Sequence, residues 1–216
     1  MNHLLVELLS YSIAIAAIIG LININRIDKN FYLFITLLWI GLANEITSSI
    51  LIAYSKPNAF NSNIYVLTEA LLVTWFFQRL GLFTRNRKIF YLILLIFSLS
   101  WGWENFISGS IFRFGSYFRI FYSFVIVLMS INLLNRLIYE EKKKLVNNPV
   151  FLILIGFIIF FTYKALVEIF WVYGLNSSKE FRVAVYRIMT YINFSVNLIY
   201  AIALVWTPRK REYTLL

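Results

Sequence analysis

The chain has no cysteine, one histidine (His3) and one aspartate (Asp28). Without cysteine there are no disulfides, thiolate metal sites or cysteine nucleophiles. A single histidine excludes a histidine-based metal centre or catalytic triad, and a single aspartate excludes an aspartate pair. Phosphate-binding loops, nucleophile elbows and zinc-protease motifs are also missing. We therefore expect no metal ion and no cofactor, and enzymatic activity is disfavoured, although paired glutamates could still act as acid and base.

Charged residues are scarce as well, at 14% of 216 residues, whereas 61% are hydrophobic. This composition is typical of an integral membrane protein. Seven helical spans of about 20 residues would use roughly 140 residues, which leaves too few for a soluble domain. We predict one transmembrane domain, 1–216. The net charge of +10 is attributed to cytoplasmic loops, so nucleic acid is not an expected partner.

Long apolar runs separated by polar links predict an all-α, polytopic bundle of seven transmembrane helices. The first run resembles a signal peptide, but it lacks a basic start and contains Glu7, so we interpret it as a retained helix. Pro149 suits the first turn of the sixth helix because its missing N–H group is not needed there. The predicted helices are 4–22, 31–54, 64–83, 89–103, 117–139, 149–173 and 183–206.

The distribution of basic residues predicts the orientation. With seven spans, thirteen of the twenty lysines and arginines fall on the side of the C-terminus and six on the side of the N-terminus, and Lys164 lies within a span. Basic loops stay in the cytoplasm, so the N-terminus is predicted outside and the C-terminus in the cytoplasm. The richness in Ile, Asn, Phe and Tyr is typical of a bacterial protein, so we predict the bacterial inner (cytoplasmic) membrane.

Ionisable residues occur inside or near the ends of several predicted spans. At about 1.5 Å per residue, they fall at similar depths in the outer half of the bundle. Lys164 and Glu168 are four residues apart on one helical face and can pair with each other. Charges within a membrane are costly and usually mark a site or a pair. The outer-half charges are Glu7, Glu45, Glu69, Lys164, Glu168 and Arg187.

Polar residues also repeat at helical spacing. One stripe on the seventh helix comprises Tyr186, Thr190, Asn193, Asn197 and Tyr200, and another on the second comprises Gly41, Asn44, Glu45 and Ser48. Such faces point into a bundle rather than into lipid. Hydrogen bonds between helices would explain them equally well. We predict a ligand or proton pocket formed by Glu45, Glu69, Lys164, Glu168, Arg187, Asn44, Asn193, Asn197 and Glu7.

Four segments carry a resemblance to a known group of proteins: NEITSSILIAY (44–54), NSNIYVLTEALLVTWFF (61–77), NPVFLILIGFIIFFTYK (148–164) and WTPRKR (206–211). In these the chain resembles uncharacterised small seven-helix bacterial membrane proteins, and the resemblance implies a fold but no established activity. An internal similarity is weaker. An offset of 119 residues aligns Glu45 with Lys164 and Tyr54 with Tyr173, an arrangement similar to the 3+1+3 helices of small sugar and vitamin transporters.

Several functions remain open at this point. The outer polar cluster favours a receptor-like sensor or accessory signalling subunit for a small polar ligand or protons. A small-molecule or proton-coupled transporter of 3+1+3 type is the alternative, followed by a structural or effector protein whose charges merely pair, and an intramembrane enzyme acting on lipid. The expected partners are the lipid bilayer, a small polar ligand, and a membrane or cytoplasmic protein.

Overall fold

The computed structural model describes residues 9–140, 145–173 and 178–207. Every regular element in these ranges is helical. The predicted pocket residue Glu7 and most of the basic segment 206–211 lie outside the described residues. The helices of ten or more residues are α1 (Ile13–Ile22), α2 (Tyr32–Ala53), α3 (Ala59–Arg79), α4 (Arg87–Gly102), α5 (Ser116–Glu140), α6 (Pro149–Val172) and α7 (Lys179–Trp206).

Five described stretches are long and apolar enough to cross a membrane: Lys29–Ala53, Arg87–Ile107, Ser116–Tyr139, Pro149–Val172 and Ala184–Trp206. These correspond to α2, α4, α5, α6 and α7. Large apolar side chains are exposed along them, for example Leu92 and Leu99 on α4, as expected of surfaces that contact lipid rather than water. The protein is therefore a multi-pass membrane protein by length and composition. The predicted count of seven spans needs α1 and α3 in addition.

Local sequence signals explain where several helices begin. The Asn148 side chain accepts hydrogen bonds from the backbone N–H groups of Val150 (2.8 Å) and Phe151 (3.4 Å), directly before Pro149. Asn86 caps α4 and Ser178 caps α7 in the same manner. These side chains satisfy N–H groups that have no partner within the helix. The predicted start of the sixth helix at Pro149 agrees with the structure.

Helix α3 is displaced from its predicted range of 64–83. It begins at Ala59 and ends at Arg79, because polar residues of the apparent loop form its first turns. Gly81 ends it with a φ of +87°, and the N–H group of Leu82 bonds to the carbonyl of Phe77 at 3.1 Å, which is the glycine-terminated helix end that left-handed backbone permits. Glu69 consequently lies ten residues into α3, about 15 Å from its start, deeper than predicted.

The helices form a ring in which α3 runs parallel to α5 and α7 runs parallel to α1, whereas the other neighbours are antiparallel. Neighbours in the ring are α1–α2, α2–α3, α3–α5, α5–α6, α6–α7 and α7–α1, while α4 packs outside it against α3 and α5. The end of α2 meets the start of α3 through a hydrogen bond of 3.2 Å from Asn61 Nδ2 to Ser48 Oγ. The end of α6 meets the start of α7 through the Tyr163 hydroxyl and the Val185 carbonyl at 3.2 Å. The polar residues of these helix ends therefore share one end of the bundle.

An aromatic cluster fills the other half of the ring. The ring of Phe34 lies 5.5 Å from Phe76, 6.0 Å from Phe157 and 5.1 Å from Tyr200, measured between centroids. Phe34 and Phe76 have no exposed surface, and Phe157 is 1% exposed. Edge-to-face ring packing of this kind adds to the stability that apolar burial provides. The ring of helices is thus solid at this end.

Candidate functional site

A cavity of about 420 Å³ lies inside the ring of helices. Its floor includes Phe157 and Tyr200 of the aromatic cluster, and its walls come from α1, α2, α3, α5, α6 and α7. Six of the nine predicted pocket residues line it, namely Asn44, Glu45, Glu69, Lys164, Asn193 and Asn197. Helix α4, which lies outside the ring, contributes no residue to the lining.

Glu69 and Lys164 form an ion pair across the cavity wall. The Lys164 ammonium Nζ lies 2.7 Å from Glu69 Oε2. The two side chains are 13% and 5% exposed, so solvent screens the pair little and each charge depends on the other. The contact joins α6 to α3, which are 95 residues apart in the chain.

Aromatic side chains surround the same pair. The Tyr65 hydroxyl donates to Glu69 Oε1 at 2.8 Å and the Tyr122 hydroxyl donates to Glu69 Oε2 at 2.5 Å. The Lys164 ammonium lies 5.2–5.9 Å from the ring centroids of Tyr65, Tyr122, Phe160 and Phe161. Rings at this distance attract a cation through their electron-rich faces. The Glu69 carboxylate therefore accepts three hydrogen bonds, and the Lys164 ammonium is surrounded by aromatic rings.

A second ion pair joins α5 to α6. Arg119 NH1 lies 3.3 Å from Glu168 Oε1, with side-chain exposures of 8% and 15%. Arg119 NH2 donates to Ser62 Oγ at 2.9 Å and to Asn63 Oδ1 at 3.1 Å. Its guanidinium also lies 5.1 Å from the ring centroid of Phe114. Arg119 and Ser62 line the cavity near the start of α3, whereas Glu168 is not among the lining residues.

Asn63 connects this pair to the loop between α4 and α5. The side-chain Nδ2 of Asn63 donates to the backbone carbonyls of Ile111 (3.0 Å) and Arg113 (2.6 Å). The backbone carbonyl of Asn63 accepts from the Trp101 indole N–H at 2.8 Å. Asn63 is 1% exposed, so these bonds replace water that it has lost. One buried amide therefore fixes the loop over the start of α3.

Glu104 holds the start of α5 in place beside this loop. Its carboxylate accepts from the backbone N–H groups of Tyr117 (2.9 Å) and Phe118 (2.6 Å). An anion is favoured there because the N–H groups at a helix start carry partial positive charge. A Cβ on Gly115 would lie 3.0 Å from this carboxylate, so the glycine leaves room for it. This acid is thus structural and not part of the cavity.

Glu45 differs from the other acids near the cavity. It is half-buried and lines the cavity wall from α2. Among the described residues, Glu45 forms neither a hydrogen bond nor an ion pair, whereas Glu69 and Glu168 each have a basic partner. Lys164 and Glu69 act on it electrostatically without contact. Its carboxylate is therefore free to contact whatever occupies the cavity.

The polar stripe of α7 faces the cavity as its spacing predicts. All five residues of the stripe, from Tyr186 to Tyr200, are among the lining residues. Asn197 Nδ2 donates to Ser12 Oγ at 2.9 Å, which joins α7 to the segment before α1. On α2, Gly41, Asn44 and Glu45 line the cavity. The side-chain oxygen of Asn44 also accepts a hydrogen bond from Asn61 Nδ2 at 2.9 Å.

The remaining sequence predictions have different outcomes. Arg187 is exposed and is not among the cavity-lining residues, and Glu7 lies outside the described residues. Lys164 and Glu168 could pair within α6, but each instead has a partner on another helix. The reason is geometric, because a lysine preceding a glutamate by four residues is the weaker order and opposite charges on α3 and α5 lie closer. That this set binds a ligand stays a prediction.

Some cavity residues were not singled out from the sequence. Arg119 lies in the first turn of α5 and has the sequence position of an interfacial arginine, yet it is 7% exposed. The range predicted for α3 starts at residue 64, which is too late. It therefore leaves Ser62 in a loop and Tyr65 at the start of the helix. A signal for Tyr65 existed, since it precedes Glu69 by four residues and so shares its face.

The chemistry of the cavity follows from these groups. It offers one free carboxylate (Glu45), carboxamides from Asn44, Asn193 and Asn197, and an aromatic lower wall. Within the described ranges, no three His, Cys, Asp or Glu side chains cluster as a metal site would require. The arrangement suits non-covalent binding of a small molecule that combines a polar group with an apolar body.

No protein-family model, curated protein or solved structure matches this chain.

Proposed function

We propose that the protein is a receptor-like sensor, or an accessory signalling subunit, that binds a small ligand in the cavity enclosed by its helices. The observation that carries this proposal is the carboxylate of Glu45, which lies on the wall of a partly open cavity and has no ion-pair or hydrogen-bond partner among the described residues. A purely structural set of charges would leave no acid unpaired in this position, because an uncompensated charge inside a membrane protein is costly.

The solid aromatic half of the ring supports a receptor rather than a pore. Phe34, Phe76 and Phe157 close the interior below the cavity, with centroid distances of 5.5–6.3 Å. These rings therefore block passage through this end of the ring of helices in this conformation. Ligand binding would change the contacts between α2, α6 and α7, and short basic loops at the opposite end would carry that change to a partner.

The proposal also includes seven membrane spans, with the N-terminus outside the cell. Helix α3 has 21 residues, about 31 Å at 1.5 Å per residue, which is enough to cross a bilayer core. Its polar residues lower its hydropathy, but Asn63, Glu69 and Thr74 are buried in the bundle rather than exposed to lipid. We propose the bacterial cytoplasmic membrane as its location, with the cavity in the outer half.

A cavity-filling substitution tests binding without altering charge. Thr190 lines the cavity, and among the described residues its hydroxyl bonds to the Tyr186 carbonyl of its own helix at 3.1 Å. Thr190→Trp should abolish the thermal stabilisation that a metabolite library gives the purified protein in detergent. Thr47→Trp is the matched control, since Thr47 is exposed and bonds likewise to Ala43 of its own helix at 2.8 Å. Equal stabilisation of both variants by every hit would refute the proposal.

A transporter is the second candidate, favoured by an internal correspondence. Helices α2 and α6 end at Ala53 and Val172, which are 119 positions apart. The same offset relates Glu45 to Lys164, and both line the cavity from opposite halves of the ring. Two related three-helix units around a central site are typical of transporters. Uptake of library hits into proteoliposomes would favour this candidate, whereas binding without uptake would favour the receptor.

A further inference from the structure

We infer that the ligand of the cavity is a small organic monocation, an amine or quaternary ammonium ion with an apolar body, whose charge pairs with Glu45. This inference rests on the proposed function, because it names the ligand class of the same cavity.

The charges around the cavity are unequal. Glu69 is paired with Lys164 and Glu168 with Arg119. Glu45 is the third acid of this set, and among the described residues it forms no ion pair of its own, although Lys164 and Glu69 act on it electrostatically without contact. A ligand with one positive charge would make the set neutral, whereas an anionic ligand would add to the excess negative charge. Charge complementarity therefore selects a monocation.

One alkylammonium group of the protein itself already lies against aromatic rings in this interior. The Lys164 ammonium lies within 5.9 Å of four ring centroids, so the electron-rich ring faces of this region are compatible with a positive charge. Further rings of Phe157, Tyr186 and Tyr200 also line the cavity. Aromatic faces together with a carboxylate are a common means of recognising ammonium ligands.

The size and the largely apolar wall of the cavity favour an organic cation over a bare inorganic cation, although Glu45 and three carboxamides offer oxygen atoms. A volume of about 420 Å³ corresponds to roughly 14 waters at about 30 Å³ each. Apolar side chains including Leu37, Leu38, Phe160 and Val196 form much of the wall, and they cannot supply the oxygen ligands that small cations need. An organic body fills this space and buries its apolar surface.

The inference is tested with charged and neutral probes of matched shape. Phenethylamine, phenethyl alcohol and 3-phenylpropionate, together with tetraethylammonium and sodium ions, are titrated calorimetrically against the full chain in detergent. We expect phenethylamine or tetraethylammonium to bind, and Glu45→Gln to weaken that binding by about 30-fold, the equivalent of about 2 kcal/mol. Glu180→Gln, an identical change at an exposed acid, should leave the affinity unchanged.

The outcomes separate this inference from the proposed function. Equal binding of the amine and the alcohol, preference for the carboxylate or for sodium, or a Glu45→Gln affinity equal to that of wild type would each overturn the monocation assignment. Failure of every organic cation to bind would overturn it too. The Thr190→Trp experiment is independent of ligand charge, so a library hit that it abolishes would leave the binding function standing.

Discussion

The ammonium of Lys164 lies 2.7 Å from the carboxylate of Glu69 and joins the middle of α6 to the middle of α3. Within the described ranges, neither the Lys164 ammonium nor the Glu69 carboxylate has a second ion-pair partner. Glu69 accepts from two tyrosines in addition, and Lys164 faces four aromatic rings. This pair is part of the cavity wall and also part of what holds the bundle together, and those two roles can be separated by experiment.

Lys164→Met should lower the free energy of unfolding by about 3–5 kcal/mol, because removing one partner leaves the Glu69 carboxylate buried without a cation. The measurement is thermal or denaturant unfolding in detergent. Adding Glu69→Leu to Lys164→Met should restore part of the loss, since two apolar groups then replace the pair. A Lys164→Met variant that melts like wild type would show that the pair contributes little.

Asn63→Ala should lower the free energy of unfolding by about 2–4 kcal/mol, because it leaves two loop carbonyls and the Arg119 guanidinium short of partners. Differential scanning calorimetry in micelles would measure it. Asn58 is the control, since its side chain makes no capping bond at the start of α3, and Asn58→Ala should be nearly neutral. Equal effects of the two substitutions would contradict the role assigned to Asn63.

Gly156→Ala should destabilise the protein by about 1–3 kcal/mol, the usual cost of overpacking. A Cβ at this position would collide with the ring of Tyr200, so Tyr200→Leu should rescue the variant in part. Gly102→Ala is the matched control, because a Cβ there meets nothing within 4 Å and alanine is the better helix former. The melting temperatures of wild type, Gly156→Ala, Gly156→Ala combined with Tyr200→Leu, and Gly102→Ala measure these effects. An equal effect of alanine at positions 156 and 102 would refute close packing of α6 and α7.

Seven spans with the N-terminus outside predict opposite accessibility of two loops. Since the chain has no cysteine, single cysteines at Lys56 and at Arg85, both exposed, can be labelled separately. A membrane-impermeant maleimide applied to intact cells should label Lys56→Cys, and Arg85→Cys only after lysis. The reverse result would invert the orientation. Labelling of both in intact cells, or of neither, would mean that α3 does not cross the membrane.

Much of the architecture was predictable because it depends on local chemistry. Pro149 after Asn148 marks the start of α6, and the spacing of the α7 stripe specifies which face turns inward. These features depend on a few neighbouring residues and on helical periodicity. The position of Lys164 along α6 also follows from counting residues from the start of the helix at Pro149.

The pairing of charges was not predictable in the same way. Which acid meets Lys164 depends on the order of helices around the ring and on their rotation, and one sequence carries neither directly. The displaced start of α3 had a local cause, because polar residues such as Asn61 and Ser62 look like loop residues until their partners on other helices are known. The roles of Arg119 and Asn63 arise from the fold of the α4–α5 loop, which has no periodic signal.

The central claim is that Glu45 serves the ligand and not the fold. The most direct test is to measure, on one preparation of Glu45→Gln, both the melting temperature without ligand and the affinity for phenethylamine or tetraethylammonium. The predicted result is a change in stability of less than about 1 kcal/mol, because no described partner is lost, together with an affinity about 30-fold weaker. A variant that unfolds as readily as Lys164→Met, or that binds the ammonium probe as tightly as wild type, would contradict the account.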